Sequence, residues 1–203
     1  MYRNPQFEEK DFDKVLAFMK AHPFVTLIGY DGDYPVATQI PVKIDQRNGE
    51  LYLIGHVMKK TDHHEAYLEN QNVLALFTGA HAYISSSVYQ DPAVASTWNY
   101  STVQAKGEIR LMDEAETRGV IKELTDRYEN PARSKAAFHH LSEEYIEKHL
   151  KAISGFEIRI EKLASVFKLS QNNTSANRFA IIEQLTNSPE VNDQQVAADM
   201  KKV

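Results

Sequence analysis

Cysteine is absent from the 203 residues, which excludes disulfides, thiolate nucleophiles, zinc fingers and iron–sulfur clusters. Tryptophan occurs once. No apolar run approaches the roughly 20 residues of a membrane-spanning helix. The opening MYRNPQFEEKDFDKV is charged where a signal peptide needs an apolar stretch, so a cytoplasmic protein is the simplest expectation. There is no Gly-rich βαβ fingerprint and no G-x-S-x-G elbow, which argues against a dinucleotide fold and against a hydrolase nucleophile. The serine run in YISSSVY reads more simply as a strand end bonding to backbone. His63–His64 and His139–His140 are adjacent pairs; on a helix their side chains would point about 100° apart, so neither makes a two-ligand site, and no metal is expected. Positive charge is also lacking. A net charge of −5 does not suit a chain that coats phosphate backbones.

What remains is ordinary for a globular protein: 42% hydrophobic, 25% charged and 10% aromatic. That bounds the chain to one domain over residues 1–186, followed by a polar tail over residues 187–203 that is helical or frayed. EEKDFDKVLAFMKAHP sets Phe12, Val15, Leu16 and Met19 on one helical stripe, ended by Pro23. FVTLIGY, YPVATQIPVKI and ELYLIGHV read as strands joined by the turns DGD and DQRNG. Pro41 has no N–H to donate, which puts its strand at an edge or a bulge. KKTDHHEAYLEN enters a helix with Thr61 or Asp62 as cap. NVLALFTG, AYISSS, STVQAKGEIRL, GFEIRI and SVFKLS supply further strands. Two helices follow from DEAETRGVIKELTDRYE (Val120, Ile121, Leu124, Tyr128) and LSEEYIEKHLKAI (Leu141, Tyr145, Ile146, His149, Leu150), and a last one from NRFAIIEQL. Seven or eight strands with hairpin turns predict a mainly β fold with peripheral helices (α+β), a barrel or sandwich.

The segment STWNYSTVQAKG holds the one tryptophan. If it is extended, Trp98, Tyr100, Thr102, Gln104 and Lys106 share one face, and Asn99, Ser101, Val103 and Ala105 the other. Two rings beside hydrogen-bonding side chains suit a flat heteroaromatic ligand; a barrel cap or a subunit interface uses the same residues. In GHVMKKTDHHEAY, Lys59, Lys60 and Thr61 stand between a strand and a helix start, where ammonium groups and free backbone N–H groups suit a phosphate. A solvated lysine pair is the competing description. His56 and His81 are candidate polar contacts for a cofactor.

Taken in order, LIGHVMKKTDHHEAY, VLALFTGAHAYISSSVYQ, STWNYSTVQAKGEIRL and AISGFEIRIEKLASVFKLSQN resemble the PaiB-like proteins. These are named negative transcriptional regulators of sporulation and protease synthesis, within the FMN-binding split-barrel superfamily. The resemblance implies a split β-barrel homodimer with FMN at the subunit interface, and a flavin-dependent reductase or oxidase acting on a small molecule. The alternatives it leaves are a repressor working without flavin redox chemistry and a haem-binding protein. Direct DNA binding is not expected, since no helix-turn-helix with a basic recognition helix is visible. The resemblance places Trp98, Asn99 and Tyr100 beside the flavin, with Tyr83 and Ser85 of YISSSVY and Gln104 near the ring. It places Lys59, Lys60 and Thr61 at the phosphate, Thr38 and Gln39 along the isoalloxazine, His56 as a polar contact, and Lys168, Ser170 and Gln171 of KLSQN at the same pocket. The chain departs from the family's Y-[IV]-S-P-S-W-Y at Ser86 and Val88, and from its V-P-T-W-N-Y at Ser96. Two lost prolines and a lost tryptophan predict looser loops and weaker flavin binding, or a vacant pocket. The family's GHVARANP is here GHVMKKTD, which replaces an arginine fork with lysine point charges.

Overall fold

A computed structural model describes Met1 and residues 4–203. The chain begins with helix α1 (Phe12–Ala21). Strands β1 (Phe24–Tyr30), β2 (Pro35–Pro41), β3 (Lys43–Arg47) and β4 (Glu50–Met58) follow. Next come α2 (Asp62–Glu69), β5 (Asn72–Ile84), β6 (Thr97–Leu111), α3 (Glu114–Tyr128) and α4 (Glu143–Leu150). Strand β7 (Ile153–Lys168) and helices α5 (Ser175–Thr186) and α6 (Val191–Met200) complete the order. The strands form one sheet, β2-β1-β5-β6-β7-β4-β3. Pairing is antiparallel for β1 with β2 and β5, and for β4 with β3 and β7.

Two differences from the sequence-based expectation bear on the site. YPVATQIPVKI is two strands. The chain breaks at Val42, whose N–H donates to Pro23 O at 2.8 Å, and β2 and β3 end up at opposite edges of the sheet. Pro41 is the cause, because it cannot supply the ladder donor that would continue β2. Conversely, NVLALFTG and AYISSS are one strand, β5. Gly79 makes room there for a side chain, since a Cβ at this position would lie 2.9 Å from the Phe18 ring. GFEIRI and SVFKLS likewise join through an exposed polar stretch into β7.

The chain divides into two compact units. One comprises residues 1–22, 78–103 and 164–203. Its core gathers Ala82, Ile84, Leu169, Ile181, Leu185, Val196, Ala197 and Met200, with Val88 and Tyr89 packed against them. The segment after Asn187 therefore includes a true helix, α6, whose Val196, Ala197 and Met200 are buried. Helix α1 buries Val15, Leu16 and Met19, while Phe12, expected on that stripe, is exposed. The other unit comprises residues 23–77 and 104–163. There α3 sets Val120 and Leu124 against Ile54. Ile146 and Leu150 of α4 meet Phe138, with Ile121 and Leu141 beside them. Tyr128 and Tyr145, expected inward, are exposed; each lies at the margin of its helix's apolar stripe, where a phenol can keep its hydroxyl in water.

Candidate functional site

The W-N-Y segment opens β6, and its side chains alternate as an extended strand requires. Asn99, Ser101, Val103 and Ala105 are buried, while Trp98 is 52% exposed and Tyr100, Thr102 and Gln104 are half-buried. Tyr83 of β5 meets the Trp98 ring edge-on at 5.6 Å between centroids, and His81 lies 6.0 Å away on its other flank. Three exposed rings thus share one surface of the first unit. Aromatic area left in water at this density is a binding surface in want of a partner.

Asn99 points the other way. Its Nδ2 donates to Ser170 Oγ at 2.9 Å, and Ser170 Oγ donates back to Asn99 Oδ1 at 3.1 Å. Lys168 Nζ donates to Thr97 Oγ1 and, at 2.7 Å, to Trp98 O. Gln171 closes the end of β7, accepting from Leu169 N at 2.7 Å and donating to Phe167 O. KLSQN is therefore clasped onto STWNY by side chains from both motifs. Ser170 takes a left-handed backbone, φ 59°, unusual for a residue with a Cβ, and its reciprocal bonds with Asn99 hold it there. Arg178 of α5, which the sequence offered no reason to single out, donates to Leu169 O and Met200 O at 2.9 Å each.

At the two positions where the family carries proline, this chain makes hydrogen bonds of its own. Ser85 caps a 3-10 turn over Ser86–Val88, accepting from Ser87 N at 3.2 Å. Ser86 N, a donor that proline would lack, bonds to Ser96 Oγ at 3.1 Å. The two positions where the family carries proline are thus tied to each other, and a ring constraint is exchanged for a hydrogen bond. Val88 packs on the core of its unit, so the lost tryptophan is a change in packing there. Ser96→Ala should cost about 1 kcal/mol, the worth of a hydrogen bond with a part-buried donor. On a Ser86→Pro background, where no donor remains, it should cost close to nothing. A double-mutant cycle in urea measures the coupling, and equal costs on both backgrounds would remove it.

The second unit holds the other candidates. Thr38, half-buried, and Gln39, exposed, lie on β2 opposite Leu27 and Thr26. His56 lies on β4 opposite Gly155. Its Nδ1 is buried with no hydrogen-bond partner among the described residues, and burial pushes its pKa below the ordinary imidazole value, toward a neutral ring. Lys59 N donates to Ala152 O at 2.9 Å, and its Nζ reaches Leu150 O at 3.3 Å. Lys60 is exposed with φ 63°. Thr61 is the cap of α2, accepting from His64 N at 3.4 Å and donating to Met58 O at 2.9 Å. The free helix N–H groups expected here are largely taken, because Asp62 Oδ1 accepts from His63 N at 2.7 Å. An anion at this turn would be met by the two ammonium groups. Sequence reasoning also passed over Tyr67 of α2, whose buried hydroxyl has no hydrogen-bond partner among the described residues and whose ring fills the space left by Gly29.

A flavin needs an aromatic platform, hydrogen-bonding groups at its polar edge and cations at its phosphate. The exposed rings of the first unit suit the first need; in the second unit, taken by itself, a buried imidazole nitrogen and a lysine pair suit the others. The family described as "Putative FMN-binding domain" matches residues 1–162. The chain belongs to this FMN-binding family. FMN is accordingly its cofactor. It is 29% identical over 201 residues to "Protease synthase and sporulation protein PAI 2" of Bacillus subtilis, covering 99% of this chain and 97% of that protein, so the PaiB-like resemblance holds. An uncharacterized protein of Aspergillus fumigatus is 30% identical over 190 residues, covering 73% of each chain. Among solved structures, the FAD and haem binding protein from Mycobacterium smegmatis aligns with a TM-score of 0.60 at 16% identity, covering 85% of this chain and 78% of that one. The flavocytochrome Anf3 from Azotobacter vinelandii aligns with a TM-score of 0.56 at 17% identity, covering 82% and 72%. The fold is the FMN-binding split barrel, mainly β with peripheral helices.

Proposed function

We propose that the chain is a homodimeric, flavin-dependent oxidoreductase acting on a small molecule, with FMN held at the subunit interface. The exposed cluster of Trp98, Tyr83 and His81 is the observation that carries it. Within the first unit, Trp98, Tyr83 and Tyr100 offer surface to a flavin ring, with Ser85 at its margin. Taken by itself, the second unit offers Lys59, Lys60 and Thr61 to a phosphate, Thr38 and Gln39 to a ring, and Gln104 and His56 as polar contacts. Asn99, Ser170 and Gln171 spend their bonds within the chain and act by holding Trp98 and its strand in place. When bound, FMN supplies two-electron redox chemistry. The protein's part is to orient the ring and exclude water from it.

The Bacillus subtilis relative's name speaks of protease synthesis and sporulation. A regulatory role here would be indirect, through a small molecule sensed or converted, because a net charge of −5 opposes unassisted binding to a phosphate backbone. The first test is the visible absorption of the freshly purified protein, with the chromophore identified after heat release. Yellow protein releasing FMN is expected. A Soret band would instead favour haem, with His56, His81 or a histidine nearer the C-terminus as the candidate imidazole. Trp98→Ala should then weaken FMN by about 1–3 kcal/mol, the scale of a buried aromatic contact, read by flavin titration. Unchanged affinity would take Trp98 out of the site.

A further inference from the structure

The clasp between KLSQN and STWNY leaves a cleft of about 460 Å³ within the first unit, a size ordinary for small-molecule sites. Asn99, fully buried, and Ser170, 2% exposed, lie in its lining and are locked by their reciprocal bonds. Lys168 also lines it. Two of the ammonium's three N–H bonds go to Thr97 Oγ1 and Trp98 O, the cation lies 5.9 Å from the Phe7 ring centroid, and among the described residues the third N–H has no hydrogen-bond acceptor. Burial lowers the Lys168 pKa, a sign that water solvates this cation poorly and that a counter-anion would be welcome.

Among the other polar groups are side-chain amides with N–H to give. Asn177 uses its Oδ1 to accept from Gln90 N, which leaves its Nδ2 hydrogens. Asn173 also lines the cleft, and its side-chain amide makes no hydrogen bond among the described residues. Both stand at the start of α5, a helix with no acidic residue in its first turn, so the helix dipole reinforces the positive potential. One carboxylate, Asp91, is present, and its Oδ1 accepts from Ala93 N. Tyr89 and the exposed Val94 supply the apolar walls.

We infer that this cleft binds a small organic carboxylate. The carboxylate meets the remaining N–H of Lys168 and the amides at the start of α5, and the apolar remainder lies on Tyr89 and Val94. An inorganic anion would leave those walls in water. A neutral analogue would leave the ammonium unpaired. The site stands on the cleft alone and does not require flavin.

Benzoate is titrated into the flavin-free full chain by calorimetry, with benzamide as the neutral control. Saturable benzoate binding is expected, with benzamide at least tenfold weaker. Asn173→Asp should weaken benzoate at least tenfold by repulsion while leaving the clasp intact, and Lys168→Gln should do so by removing the charge. Absent benzoate binding, benzamide equal to benzoate, or an unaffected Asn173→Asp would each overturn the assignment. FMN titrated on the same samples separates the two sites. Benzoate lost with FMN retained overturns this inference alone, and FMN lost with benzoate retained overturns the flavin assignment alone.

Discussion

Gly107→Ala is expected to lower stability by about 3 kcal/mol, the upper end of what overpacking usually costs. Gly107 lies in β6 where the chain crosses closest to β7. A Cβ there would press on the Arg159 carbonyl oxygen, lie 2.9 Å from its carbonyl carbon and 3.1 Å from Ile158 Cγ2. A flexible side chain can move aside; a strand backbone held by its ladder cannot. Urea unfolding should show a lower midpoint with an unchanged slope. The comparison variant is Gly119→Ala on the exposed side of α3, where a new Cβ meets nothing within 4 Å. That change should stabilise by roughly 0.5–1 kcal/mol, since alanine loses less backbone entropy in a helix. Equal effects at the two glycines would refute the close-approach account.

Lys59→Ala with Lys60→Ala should weaken FMN by about 2–3 kcal/mol, the scale of hydrogen bonds to a charged group, which is about a hundredfold. Riboflavin, which has no phosphate, should lose little. The comparison controls for structure. Lys59 Nζ also reaches Leu150 O, and any loosening of that contact would affect both ligands alike. Lys60 has a left-handed backbone, and alanine carries the same Cβ, so the strain does not change. Equal losses for FMN and riboflavin would move the phosphate away from this turn. Raising the salt should narrow the difference between the ligands, because an exposed ammonium is screened.

Local patterns were readable from the residue order. The alternation through Trp98–Lys106 assigned each side chain to a face, since the strand period of two leaves no freedom once the segment is extended. Thr61 before a helical run read as a cap, and it is one. Pro41 read as an edge, and β2 is an edge strand. The four motifs in order pointed to an FMN-binding family, to which the chain belongs. The exposed rings of Trp98 and Tyr83 were readable only in part, because a sequence names aromatics without saying which of them water reaches.

Tertiary structure decided the rest. Residues 86 and 96 read separately as two lost prolines, and only the folded chain brings Ser96 Oγ to Ser86 N. Asn99 and Ser170 are 71 positions apart, and nothing in either neighbourhood announces the other. The break at Val42 sends adjacent strands to opposite edges, a choice made by which partners remain unpaired in the sheet. Composition, periodicity and capping are settled within a few residues of chain, so the sequence alone determined element type, facing and family. Which donor meets which acceptor, and which cation is left with an N–H to give, depends on long-range packing, and that was settled only when the chain closed on itself.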